Sequence, residues 1–310
     1  MKNITKQQIE QDIANKKYNP LNDLLFKFVF GKEERKEITI SFLNAALGRE
    51  ALGREGDDEI TDIKFRNSEF SALAENEKST RLDIFCTTQI DEKIDVEIQI
   101  NNRKNIEKRT LFYWSNMYLS GHKKGQDYNE LKPSITINLL NYNNFEPTEP
   151  MHSMFAVYNY STGKKLCNDL EIHFFELKKF QKKPISELSR IERWMAYFSN
   201  KLDVSELQEL GMQDSKIKDA LDASDRFMDD LDERLAYVNR EMALMDYKSD
   251  TEGFYRDGFA DGKAEGKAEG IDIGESNIII KMINKGLDDE AISNLTDKSV
   301  EEIREIRKNN

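Results

Sequence analysis

The stretch that decides the fold runs from Arg81 to Ile100, RLDIFCTTQIDEKIDVEIQI. Two runs in it, 81–90 and 93–100, alternate apolar and polar residues, and the Asp91–Glu92 step between them reads as a two-residue hairpin turn. Glu97 and Gln99 are two apart, so a strand presents both on one face. A turn at Asp91–Glu92 pairs position 83 near position 100, which sets Asp83 across from Gln99. Two carboxylates and one amide then converge among Ile84, Val96, Ile98 and Ile100. Two readings of this row stand. It is either the solvated face of an antiparallel sheet or a half-buried acidic patch. Like charges in such a patch are costly unless something positive lies between them, and an oxygen-loving divalent cation such as Mg²⁺ serves that purpose.

Working outward, residues 22–47 (NDLLFKFVFGKEERKEITISFLNAAL) read as two helical runs with Gly31 as the interruption and Gly48 as the stop. Residues 50–58 form a loop rich in Gly, Asp and Glu, and ITDIKFR at 60–66 alternates like a strand. Residues 104–120 return to helical spacing, with Ile106, Leu111, Trp114 and Met117 on one side. SITINLLN (134–141), MFAVYNY (154–160) and EIHFFEL (171–177) read as strands, the first apolar enough to be central. This order predicts an α/β sandwich with a mixed sheet over residues 1–180. An acidic, all-helical region follows over 181–250. A segment at 251–275 then carries glycines at 258, 262, 266, 270 and 274, and 276–310 forms a small helical module with a Ser299/Glu302 capping box. Glycine in a helix interior costs about 1 kcal/mol against alanine. The spaced segment is therefore either a flexible linker or a helix lying close against another, that of a second subunit.

Composition narrows the function classes. The 310 residues are 34% charged, and no apolar run is long enough for a membrane helix. The polar N-terminus lacks the apolar middle of a secretory signal, so the expected location is cytoplasmic. Two cysteines and three histidines leave no disulfide framework and little for zinc. The net charge of −12 sits mostly in the C-terminal part, because residues 1–180 hold 26 basic and 28 acidic side chains. Within residues 101–133 seven basic residues face three acids, so a DNA partner for the N-terminal part stays open.

Several pieces in fixed order carry a family resemblance: NDLLFKFVF (22–30), FLNAAL (42–47), RLDI (81–84), VEIQ (96–99), KRTLFYWSNMY (108–118) and GQDYNELKPSITINLL (125–140). Together they resemble the recombination-promoting nuclease and transposase family of the PD-(D/E)XK nuclease superfamily, well over 18–180 and loosely in the tail. The resemblance implies a restriction-endonuclease-like α/β sandwich followed by an all-α C-terminal region. It also implies a Mg²⁺-dependent endonuclease acting on double-stranded DNA in recombination or mobile-element biology. Asp83 and Glu97 would be the metal ligands. Gln99 would stand where the superfamily usually has Lys, able to orient water or a carboxylate but not to supply charge. Asp23 would add a further acid or simply cap its helix. Glu37 and Lys27 are weaker candidates, and Lys27 would either reach a phosphate or simply cap a surface. Arg103, Lys104, Lys108 and Arg109 would meet DNA; Arg109, which shares a helix face with Tyr113, would reach either phosphate or the carboxylate cluster. The uncharged Gln99 keeps a second class open, a catalytically weak DNA- or protein-binding module on the same fold. A third class is a scaffold in which the acidic helices do the binding.

Overall fold

The computed structural model describes residues 6–49, 59–70 and 80–309; the loop expected over 50–58 lies outside them. Three helices come first, α1 (Lys6–Ala14), α2 (Asp23–Phe30) and α3 (Lys36–Leu47). Then come β1 (Ile63–Phe65), the short β2 (Glu69–Phe70) and β3 (Thr80–Arg81), and the hairpin β4 (Ile84–Thr88) and β5 (Lys93–Gln99). Helix α4 (Ile106–Leu119) leads to β6 (Ser134–Leu140), β7 (His152–Phe155) and β8 (Leu170–Glu176). The rest is helical: α5 (Arg190–Ser199), α6 (Val204–Gln213), α7 (Ser215–Asp229), α8 (Leu231–Asn284), α9 (Asp289–Leu295) and α10 (Val300–Lys308).

One six-stranded sheet runs β1-β4-β5-β6-β8-β7. Its β1, β4 and β5 are antiparallel, β5, β6 and β8 are parallel, and β7 returns antiparallel at the edge. This is the mixed α/β architecture of the restriction-endonuclease-like folds. The continuously apolar β6 is central, and every residue of it is buried.

The hairpin forms with a different turn from the one the sequence predicts. Thr88 N–H donates to the Glu92 carbonyl at 2.9 Å and Asp91 N–H to the Thr88 carbonyl at 3.0 Å. The loop is therefore Gln89–Asp91, three residues long, with Asp91 in the left-handed region at φ 63°. Asp tolerates that conformation, which the three-residue hairpin requires. The resulting register pairs Ile84 with Val96, so Asp83 falls opposite Glu97 and not beside Gln99. Two other expectations need correcting. The strand over 154–160 ends at Phe155, because the Asn159 side chain accepts from Ser161 N–H and Thr162 N–H and turns the chain back on itself. Leu111 is exposed, because the inward stripe of α4 is Ile106, Thr110, Tyr113/Trp114 and Met117.

That stripe decides what happens to the polar row of β5. Ile106 packs with Leu140, Ile172 and Phe174, and Met117 packs with Leu82 and Phe85. Helix α4 therefore lies over the face that carries Lys93, Asp95, Glu97 and Gln99. Lys93 Nζ donates to the carbonyls of Met117, Tyr118 and Ser120 at 3.1, 3.0 and 2.7 Å, capping the helix at its C-terminus. Asp95 and Glu97 keep 0% and 2% of their accessible surface. The alternating row is not a solvated face.

Helices α2, α3, α5 and α7 pack around an aromatic cluster of Phe26, Phe30, Phe42, Trp194 and Phe198, with ring centroids 5.1–6.1 Å apart. The α2 N-terminus is pinned by Asn22. Its side-chain oxygen accepts from Leu24 N–H and Leu25 N–H, and its amide donates to Glu241 at 2.8 Å. Gly31 closes α2, where a Cβ would come within 2.8 Å of the Lys27 carbonyl oxygen.

The chain divides into two compact units, Met1–Leu244 and Met245–Asn310. The second is built on Ile279, Ile292 and Ile303, with Gly286 at φ 86° ending α8 and the Ser299/Glu302 capping box opening α10. The spaced glycines are helical, and a Cβ built on any of Gly258, Gly262, Gly266, Gly270 or Gly274 meets nothing within 4 Å. No described helix is long and apolar enough to cross a membrane. Lys93→Met would leave three helix-end carbonyls short of their common donor. It should lower unfolding free energy by about 2 kcal/mol in urea titrations, where a loss below about 0.5 kcal/mol would show that water replaces the ammonium freely.

Candidate active site

The corrected register brings Asp83 and Glu97 together and interlocks them through the backbone. Asp83 N–H donates to Glu97 Oε1 at 3.0 Å, and Ile98 N–H donates to Asp83 Oδ2 at 3.1 Å. Each carboxylate is thus oriented by a peptide group of the other's strand, which fixes the pair without a rotamer-dependent contact between the acids. Gln99 joins them: its Nε2 donates to Glu97 Oε2 at 3.2 Å, and its Oε1 accepts from Arg109 Nη1 at 2.9 Å. Arg109 Nη2 reaches Glu97 Oε2 at 3.1 Å, and the guanidinium lies over the Tyr113 ring, 4.9 Å from its centroid. Arg109 therefore serves the carboxylates, and the face it shares with Tyr113 is the one the helical spacing predicts.

A second cation arrives from outside the hairpin. Lys27 Nζ of α2 lies 2.9 Å from Asp83 Oδ1. The sequence offers Lys27 as a phosphate contact or a simple surface cap, because nothing in a linear pattern places α2 against the end of β4. Asp23, one turn earlier, pairs with Arg240 Nε at 2.7 Å. Glu37 is exposed on α3, and Arg103, Lys104 and Lys108 are exposed around the start of α4.

Sequence reading passed over Asp95 entirely, although period two sets it on the same face as Glu97. It is fully buried, and both of its oxygens, like the neighbouring Thr136 hydroxyl, have no hydrogen-bond partner among the described residues. Burial, then the charges of Glu97 and Asp83, push the Asp95 carboxyl well above the ordinary range. Burial, then Asp83, likewise pushes Glu97 up to about 8, against the opposing pull of Arg109 and Lys27. Three carboxyls thus share one face with two cations. Acids that cannot all ionise without further positive charge, all oxygen donors, suit a hard divalent cation. Among the described residues no group of three His, Cys, Asp or Glu side chains closes into a ready-made site. The oxygens that could take part in holding such an ion are those of Asp83 and Glu97, since Mg²⁺ is commonly bound through one or two carboxylates with other oxygens completing its shell.

A mixed sheet with a hairpin-borne Asp–Glu pair, followed two residues on by an amide, defines a PD-(D/E)XK nuclease scaffold. The chain matches the PD-(D/E)XK nuclease family transposases over residues 20–253, and it belongs to that family. No curated protein and no solved structure matches it.

The raised Glu97 carboxyl has a pH signature. Between the ordinary carboxylate value and about 8 the folded protein holds a proton there that the unfolded chain has lost. Folding stability from this group therefore falls as pH rises through that window. Glu97→Gln removes the loss, so in chelator its melting temperature relative to wild type should climb from pH 5 to about pH 8 and level off above it. A difference that stays flat, or reverses, would show that Glu97 is ionised throughout.

Proposed function

We propose that the protein is a divalent-metal-dependent DNA endonuclease that hydrolyses phosphodiester bonds, with Mg²⁺ the expected ion. The observation that carries this reading is the interlocked pair Asp83 and Glu97, held at one end of the hairpin strands with Glu97 almost fully buried. A divalent cation bound there would polarise the phosphate and lower the pKa of the attacking water. The protein's own groups do the rest. The backbone N–H groups of Asp83 and Ile98 orient the carboxylates, Gln99 bridges Glu97 and Arg109, and Arg109 also meets Glu97 directly and offsets its charge. Family membership supports a nuclease or transposase-like role, and recombination or element mobility is the setting that fits it.

The exposed Arg103, Lys104 and Lys108 lie close in sequence to Arg109, and we assign them to the duplex backbone. Cytoplasmic location and the division at residues 180, 250 and 275 belong to the same proposal. So does pairing of two chains through α8, since the space beside its glycines is not filled from within the described chain. Small residues along a helix permit close approach of a second helix.

The decisive assay is nicking of supercoiled plasmid in Mg²⁺. Asp83→Ala and Glu97→Ala should each reduce it by more than about 100-fold while keeping the wild-type circular dichroism spectrum. Cleavage at the wild-type rate in either variant would remove the assignment. Changing Arg103, Lys104 and Lys108 together to Glu should weaken retention on every duplex sequence and flatten the slope of log affinity against log salt by roughly 3. A loss confined to one sequence would mean base readout instead. Gly266→Leu in the full chain should lower the mass seen by light scattering; an unchanged mass would end the α8 pairing idea.

A further inference from the structure

Gln99 cannot bring positive charge to the reacting phosphate, and both ends of its amide are already used, one on Glu97 and one on Arg109. Arg109 is committed as well, to Glu97 Oε2 and to Gln99 Oε1, with its plane against Tyr113. Lys27 is different. Its single charged contact in the site is Asp83 Oδ1, at 2.9 Å, and its side chain keeps 33% of its accessible surface, against 20% for that of Asp83 and 2% for that of Glu97. It therefore stands on the open side of the carboxylate pair, where a nucleic-acid backbone would approach. Asp83 Oδ2 is occupied by the Ile98 N–H, so Oδ1, the oxygen Lys27 holds, is the one left for a cation.

The placement of Lys27 is not accidental to a floppy side chain. Its helix is capped by Asn22, tied to α8 through Glu241, and buried along Leu25, Phe26, Val29 and Phe30. The flexible four-carbon stem ends in a compact point charge that can move a few ångströms without moving the helix.

The geometry points to Lys27 as the exchangeable cation of this active site: it neutralises Asp83 Oδ1 while no divalent ion is present, yields that oxygen to the ion, and then serves the scissile phosphate. Positive charge from α2 thereby does what the strand position of Gln99 cannot. This rests on the nuclease reading for its last step only. The competition for Asp83 is a property of the protein and metal alone.

The test separates the two. Mn²⁺ is titrated into wild type, Lys27→Met and Lys27→Arg by calorimetry without DNA, and plasmid nicking is measured at saturating Mg²⁺. Removing the competitor should tighten Mn²⁺ binding in Lys27→Met by about fivefold or more, while Lys27→Arg stays within about twofold of wild type. Nicking by Lys27→Met should nevertheless fall by about 100-fold, because the filled metal site lacks its partner charge. Equal or weaker Mn²⁺ binding in Lys27→Met, or no Mn²⁺ binding by either protein, overturns the exchange. Undiminished nicking overturns the phosphate contact. A wild type that binds Mn²⁺ but never nicks refutes the nuclease reading, and the affinity comparison still decides the exchange. Should Lys27→Met not fold, Lys27→Gln, which keeps a hydrogen-bonding group without the charge, carries the same expectations.

Discussion

The site depends on one covering contact, that of α4 on the polar row of β5. A strand that offers Lys, Asp, Glu and Gln on successive inward positions would ordinarily face water. Here Lys93 grips the C-terminal carbonyls of the helix and Arg109 reaches back from its first turns to Glu97 and Gln99. The apolar side chains Ile106 and Met117, one near each end of the helix, seal the cover. The electrostatics follow from that burial. Removed from water, the acids repel one another strongly, and protons or cations become part of the structure instead of optional company.

Much of the fold was legible because it rests on local periodicity. The strands β5, β6 and β8 and the helices α2, α3 and α4 end within a few residues of where alternation and helical spacing set them. Gly48 and Gly286 stop their helices in the left-handed conformation, as a glycine at that place should. The site was legible in identity but not in arrangement. Asp83, Glu97 and Gln99 stand out by residue type, whereas the register that joins them hangs on a turn whose length no alternating pattern states. Asp95 was missed because a carboxylate in an alternating row looks like surface until the helix above it is known. Lys27 was underestimated for a related reason. Its meaning comes from a tertiary approach of α2 to the hairpin, across more than fifty residues of chain.

The two cations of the site come from elements with different duties. Arg109 belongs to the helix that covers the row, so losing it exposes or strands a buried acid. Lys27 belongs to a helix whose packing is complete without it: the aromatic cluster of Phe26, Phe30, Phe42, Trp194 and Phe198 holds α2 in place. A charge mounted on so firm a base is positioned by the core rather than by the carboxylate it touches. Preorganisation of that kind keeps the site assembled whether or not the carboxylates are engaged elsewhere.

The Gln89–Asp91 turn acts as a parity device. Side chains along a strand alternate between faces, so which residue of β5 meets Asp83 depends on whether the loop holds an odd or an even number of residues. Three residues bring it to Glu97; two would bring it to Ile100, which alternates with the apolar row. A turn that slipped along the same sequence by half a step, harmless to most hairpins, would therefore set an apolar residue of β5 opposite Asp83 and dismantle the acidic pair from about 20 Å away, taking β5 at roughly 3.3 Å per residue. In this fold the least conspicuous loop has the least freedom to move its turn.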